Sequence, residues 1–184
     1  VNPLRLAAHL GLAVVILAAL VWYALDSLRA PQDRGGGAAA SFWRRAALLL
    51  GLVFVTIVAG GLVAGTDAGL VYNTFPLMNG RLIPAEAFAG TAWWDNPAAV
   101  QFAHRMLALL SALAVAALWL HGRRLGVGGG LRVALHLVLA VAAAQIALGV
   151  LTLVNAVPLG LGLAHQAGAM VLIAMTVAVL HRAR

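Results

Sequence analysis

The sequence predicts an all-α, polytopic membrane protein with five transmembrane helices: a four-helix bundle plus one extra N-terminal helix. Three observations lead there. Of the 184 residues, 64% are hydrophobic and 9% charged, whereas a soluble domain is nearer half apolar and about a quarter charged. The apolar residues gather into five runs, each close to the roughly 20 residues that cross ~30 Å of hydrocarbon at ~1.5 Å per residue. In lipid only helices or closed barrels satisfy every backbone polar group, and the alternating segments of a barrel are absent.

The first run, residues 4–25, opens Pro3-Leu4-Arg5-Leu6-Ala7-Ala8-His9. A polar stretch containing Gly35-Gly36-Gly37 follows and reads as linker. The second run covers 43–65. The third, 98–120, begins at Asn96-Pro97 and carries His104 and Arg105. The tract Gly126-Val127-Gly128-Gly129-Gly130 lacks the Lys-Ser/Thr of a phosphate loop, so it reads as a turn before the fourth run, 131–153. The fifth, 159–180, follows Pro158 and carries His165.

Charge sets the expected orientation. The net charge of +7 comes wholly from arginine, and in a membrane protein such an excess marks cytoplasmic loops. Arg29, Arg34, Arg44 and Arg45 flank the first connection, Arg123 and Arg124 the third, and Arg182 and Arg184 the end of the chain. The second connection holds Arg81 against Asp67, Glu86 and Asp95, and the fourth has no charge. The C-terminus is therefore expected in the cytoplasm and Val1 outside, in a bacterial inner membrane. Aromatics are too few and the arginines too dispersed for a nucleic-acid groove. With no cysteine, disulfides, thiolate metal sites and cysteine nucleophiles are excluded.

The outer connection, 66–97, is long for a helix–helix link, and such loops are usually functional. Tyr72, Phe75, Phe88, Trp93 and Trp94 suit either an interfacial aromatic belt or a lid over an outward-facing pocket.

An imidazole inside a bilayer is expensive and is kept where it binds something. His104 and His165 each stand about two helical turns in from a proline, on helices that both start at the outer face, so their rings should share a depth of ~9 Å. In an up–down bundle those helices are diagonal, a geometry for axial ligation of a haem iron; two structural hydrogen bonds are the alternative. Arg105, just below the interface, could pair with haem propionates or snorkel to lipid phosphate. Gln101 and Gln166 could orient a ring or pack between helices, and Gln145 reads as packing between helices. His9 lies at the same depth without a visible partner. His121 and His181 fall at inner ends and read as interfacial, and His136 reads as structural. No Ser-His-Asp set, His-Glu-x-x-His motif or acidic residue within a helix core is present. Helices one and five share proline, leucines, alanine, histidine and glycine in order, as an internal repeat would. Helix one is then expected to close a preceding unit whose other three helices lie upstream.

With these residues in view, the chain resembles the haem A synthase family, in its cysteine-free proteobacterial and mitochondrial form. The resemblance runs through residues 60–80, from Gly60-Gly61-Leu62 through Gly65-Thr66-Asp67-Ala68-Gly69 to Met78-Asn79-Gly80, and through Val100-Gln101-Phe102-Ala103-His104-Arg105, Ala164-His165-Gln166 and Arg5-Leu6-Ala7-Ala8-His9. It implies helices four to eight of an eight-helix fold: residues 1–28 as the last helix of an N-terminal half, 29–42 as a cytoplasmic linker, and 43–184 as a haem-binding bundle. It also implies an oxidoreductase that converts the methyl group of haem O to the formyl of haem A. His104 and His165 would ligate a haem b and His9 would belong to the substrate-haem side. The implied partners are the lipid bilayer and haem O, with haem O synthase, cytochrome oxidase assembly factors and a second copy of the chain as further candidates. The resemblance implies a catalytic glutamate one turn before the first histidine of the N-terminal half, on a helix expected upstream of this chain. The equivalent C-terminal position here is Gln101, so this chain alone is expected to bind one haem and to lack complete chemistry. A bis-histidine cytochrome b confined to electron transfer, and a haem-free scaffold or transporter, remain as alternative readings.

Overall fold

The computed structural model of the chain describes residues 2–28, 40–90 and 92–184. Five helices among them are long and apolar enough to cross a membrane: α1 (Pro3–Ser27), α2 (Ala40–Gly65), α3 (Pro97–Arg124), α4 (Gly129–Val154) and α5 (Leu159–Arg182). Most of the expected linker, and Val1, lie outside the described residues.

All five apolar runs are helical, and most of the helices overrun the runs at their polar ends. α2 begins at Ala40 and α3 continues through Arg123 and Arg124. Hydropathy marks only the part that prefers hydrocarbon, whereas backbone hydrogen bonding extends a helix until something caps it. The starts are set by local chemistry. Asn2 accepts from the Arg5 amide ahead of Pro3, and Asn96 accepts from the amides of Ala98 and Ala99 around Pro97. Each pairs a side-chain cap with a residue that has no amide hydrogen to lose.

α2, α3, α4 and α5 pack in a ring, each against its chain neighbour and α2 against α5, which leaves α3 and α5 on a diagonal. α1 lies outside this ring against α2 and α5. Its contact with α2 is built on small residues. A β-carbon on Gly61 would stand 3.2 Å from the Ala7 Cα, and one on Gly65 2.7 Å from the Pro3 Cα. Close backbone approach of this kind replaces the hydrophobic drive that helices lack in lipid.

The main core, including Phe42, Val53, Val115, Leu135, Val138 and Ile173, fills one end of the bundle. At that end His181 bonds Asp26 at 3.0 Å, with Trp22 edge-on to the imidazole and Arg184 also on Asp26, joining α5 to α1. His181 is thus buried in a helix–helix link at that end. At the other end the packing opens. No residue of α3 from 102 to 110, of α4 from 143 to 151 or of α5 from 159 to 171 is fully buried.

The 66–96 connection is a packed cap. It contains three short 3-10 turns, Ala68–Leu70, Ala85–Phe88 and Trp93–Asp95, and a bridge between Met78 and Arg81. Tyr72, Met78 and Ala87 form a small core with Ala98 and Ala99 of α3, while Phe88 and Trp93 stay exposed. The connection therefore has an inward face that seats on the bundle and an outward face that carries exposed aromatic side chains.

Candidate functional site

His104 sits seven residues beyond Pro97 and His165 six beyond Leu159. At ~1.5 Å per residue both rings are about 10 Å from the start of their helices. They occur on the diagonal pair α3 and α5, in the stretch where the bundle is open.

Each imidazole leans on the preceding helix, over a glycine. A β-carbon on Gly60 of α2 would lie 3.2 Å from His104 Cε1, and one on Gly149 of α4 2.9 Å from His165 Cε1. The Nδ1 atoms are both engaged. His104 Nδ1 donates to the Thr56 carbonyl at 3.1 Å, and His165 Nδ1 meets Gln145 Nε2 at 3.1 Å. Gln145 Nε2 also donates to the His165 carbonyl at 2.7 Å. Thr56 is itself locked to α3, its hydroxyl 2.8 Å from that of Ser111. Neither Nε2 has a hydrogen-bond partner among the described residues, and neither is among the sealed, unpaired polar atoms.

Arg105 and Gln101 face the cap. Arg105 donates to the carbonyls of Tyr72 at 2.7 Å and Thr74 at 3.0 Å, and Gln101 donates to that of Tyr72 at 3.2 Å. Gln101, with 2% of its surface exposed, therefore supports the loop and not the His104 ring. Two further ties hold the cap. Asn96 donates to the carbonyls of Glu86 and Ala89, and Asn73 to that of Leu153 at the end of α4. The Tyr72 hydroxyl donates to Glu86 at 3.2 Å. Burial, then the Glu86 carboxylate, raises Tyr72 above the usual phenol value. Glu86 is held below the usual carboxylate range by its own main-chain N–H, aided by Tyr72.

His9 is exposed on α1, on the side away from the Ala7, Gly11 and Val14 face that meets the bundle. His136 bonds the Arg132 carbonyl and meets the Trp119 ring edge-on, and His121 stacks on Phe42. The described residues bring no three His, Cys, Asp or Glu side chains together as a metal-binding group.

The COX15-CtaA family model, described as cytochrome oxidase assembly protein, matches residues 1–177. The chain belongs to that family. Its similar proteins include the haem A synthase of Nitrosospira multiformis, 45% identical over 193 residues covering 100% of this chain and 53% of the relative. That of Granulibacter bethesdensis is 43% identical over 185 residues, covering 100% and 49%. That of Caulobacter vibrioides is 45% identical over 194 residues, covering 100% and 54%. The chain spans about half the length of these curated relatives, and the match falls on their C-terminal part.

In this COX15-CtaA family member, the residues that sequence reasoning passed over are those around the rings. Thr56 contributes a main-chain carbonyl, which no side-chain pattern reveals. Gly60 and Gly149 act by having no side chain, and in a sequence with 20 glycines they do not stand out. Gln145 was visible as an amide between helices, but its partner is 20 positions away.

Proposed function

We propose that this chain is the haem-b-holding part of a haem A synthase, with His104 and His165 as the residues that would hold its iron. The principal support is the pair of imidazoles at matched heights on diagonal helices, each with Nδ1 held and Nε2 unpartnered, in a stretch with no fully buried residue. Two nitrogens are too few to chelate a bare ion but suffice for an iron already held by four porphyrin nitrogens. The glycines at 60 and 149 leave room for the rings, and the open stretch offers space for a planar group. When bound, haem would supply a one-electron redox centre. The chain's own part is to hold both rings by their Nδ1 atoms and to keep the cap seated. Arg105 would serve that cap and lend positive charge near the propionates.

In the whole protein, the substrate would be haem O and the reaction oxidation of its methyl group to a formyl, with His9 on the substrate side. Residues 1–28 would complete the other half, 29–42 would be the cytoplasmic linker, and 43–184 would be the haem-b bundle. Val1 would lie outside and the C-terminus in the bacterial cytoplasm, and haem O synthase or oxidase assembly factors would be neighbours. The electron-transfer cytochrome reading draws on Gln101, a neutral amide one turn before His104, since the catalytic glutamate that the resemblance implies belongs to the other half.

Haemin titration of the purified chain tests the proposal. A sharp Soret band with split low-spin visible bands is expected, and loss of the low-spin signature in H104A and H165A. A low-spin spectrum that survives both substitutions rejects these ligands.

A further inference from the structure

We infer that Gln145 sets the tautomer of His165, and through it the residue's capacity to ligate, by turning its side-chain amide over; this rests on the reading of His104 and His165 as haem ligands. The two imidazoles are held by partners of different kinds. The Thr56 carbonyl can only accept, so His104 carries its hydrogen on Nδ1 and keeps a lone pair on Nε2. A main-chain carbonyl inside α2 has no other state to offer. His165 Nδ1 instead faces the amide nitrogen of Gln145, whose two hydrogens point to Nδ1 and to the His165 carbonyl. In this arrangement Nδ1 accepts, the imidazole hydrogen sits on Nε2, and Nε2 cannot bind a metal.

The same arrangement leaves Gln145 Oε1 buried without a partner. It lies against Gly168, where a β-carbon would collide with it. A buried acceptor left unpaired is unfavourable. Half a turn about the last side-chain torsion exchanges two groups of nearly equal size. Oε1 then accepts from Nδ1–H, Nε2 gains its lone pair, and the NH₂ moves over Gly168. The bond to the His165 carbonyl is lost and Oε1 comes to face that oxygen, so the turned orientation is favoured only when a metal holds Nε2. Metal-free protein thus favours one amide orientation and the loaded protein the other. His104 is the fixed ligand, and His165 the one whose donor strength depends on a movable amide.

Nitrogen-15 spectra of the full metal-free chain, labelled at histidine and assigned with H104A and H165A, test the tautomers directly. Opposite tautomers are expected, hydrogen on Nδ1 for His104 and on Nε2 for His165; hydrogen on Nδ1 of both overturns the inference. The second arm uses haemin-loaded protein. Q145L, with no acceptor, should bind haemin about 10- to 100-fold more weakly. Q145E, which only accepts, should stay low-spin with a more negative midpoint potential and altered electron paramagnetic g-values. If both variants match the parent in affinity, potential and g-values while it remains low-spin, Gln145 has no such role and the ligand reading stands. If Q145L fails to fold, Q145E decides alone. If the parent gives no low-spin haem, both readings fall.

Discussion

Gly60 and His104 face each other across the α2–α3 contact so closely that a β-carbon on the glycine would stand 3.2 Å from the imidazole Cε1. The ring can yield a few tenths of an ångström to a methyl group, but not to a branched side chain. G60V should push His104 off the Thr56 carbonyl and weaken haemin binding at least about tenfold, with helicity unchanged. Haemin titration with circular dichroism checks this; an unaltered affinity would show that the ring's seat on α2 is dispensable.

Arg105 ties the cap to α3 through the carbonyls of Tyr72 and Thr74. R105A removes both bonds and should destabilise the cap by roughly 2 kcal/mol. R105K, a point charge without the planar fork, should recover only part of that. Hydrogen exchange of residues 72–78 is the measurement. Exchange as slow in R105A as in the parent would mean that the cap is held by its small core alone.

Asn96 both caps α3 and holds the Glu86 and Ala89 carbonyls. N96A should cost about 1–2 kcal/mol from the cap and also loosen the cap loop. N96D keeps the acceptor for the helix but loses the amide donors, so it should fray the loop while sparing the helix start. Equal exchange at both places in N96D would refute this division of labour.

The Tyr72–Glu86 pair gives the cap a pH window. Glu86 is depressed in the folded state, so its contribution is complete above the ordinary carboxylate value of about 4.3 and is lost as pH falls through the folded value. Tyr72 is raised, so its contribution is complete below about 10 and is lost as pH rises through the folded value. Tryptophan emission from the cap, which carries Trp93 and Trp94, should be flat between those limits and shift outside them. In Y72F the alkaline shift should vanish. An alkaline shift that persists there would assign it to another group.

The spans were legible because a run of apolar residues in lipid has one structural solution, and the two histidines were legible because each breaks such a run. The helix ends were less so, since α2 and α3 continue through arginines that a hydropathy reading assigns to the connections. Gln101 shows a further limit. Its spacing, one turn before His104, suggested a contact with the ring. Side chains on a helix lean toward its N-terminus, so Gln101 reaches up to Tyr72 and away from the imidazole below. Of the ring supports, a backbone carbonyl and two absent side chains leave no pattern in the sequence, and Gln145 was visible only as an amide between helices.

The cap is fastened on two sides of the bundle: to α3 through Asn96, Gln101 and Arg105, and to α4 through Asn73, with Gly69 close against Val157 of the α4–α5 turn. A route from the aqueous phase would have to break these ties together. A large amphiphile bound beside His104 and His165 would instead slip in sideways from the acyl chains. Its loading would then follow its partitioning into the bilayer rather than its concentration in water.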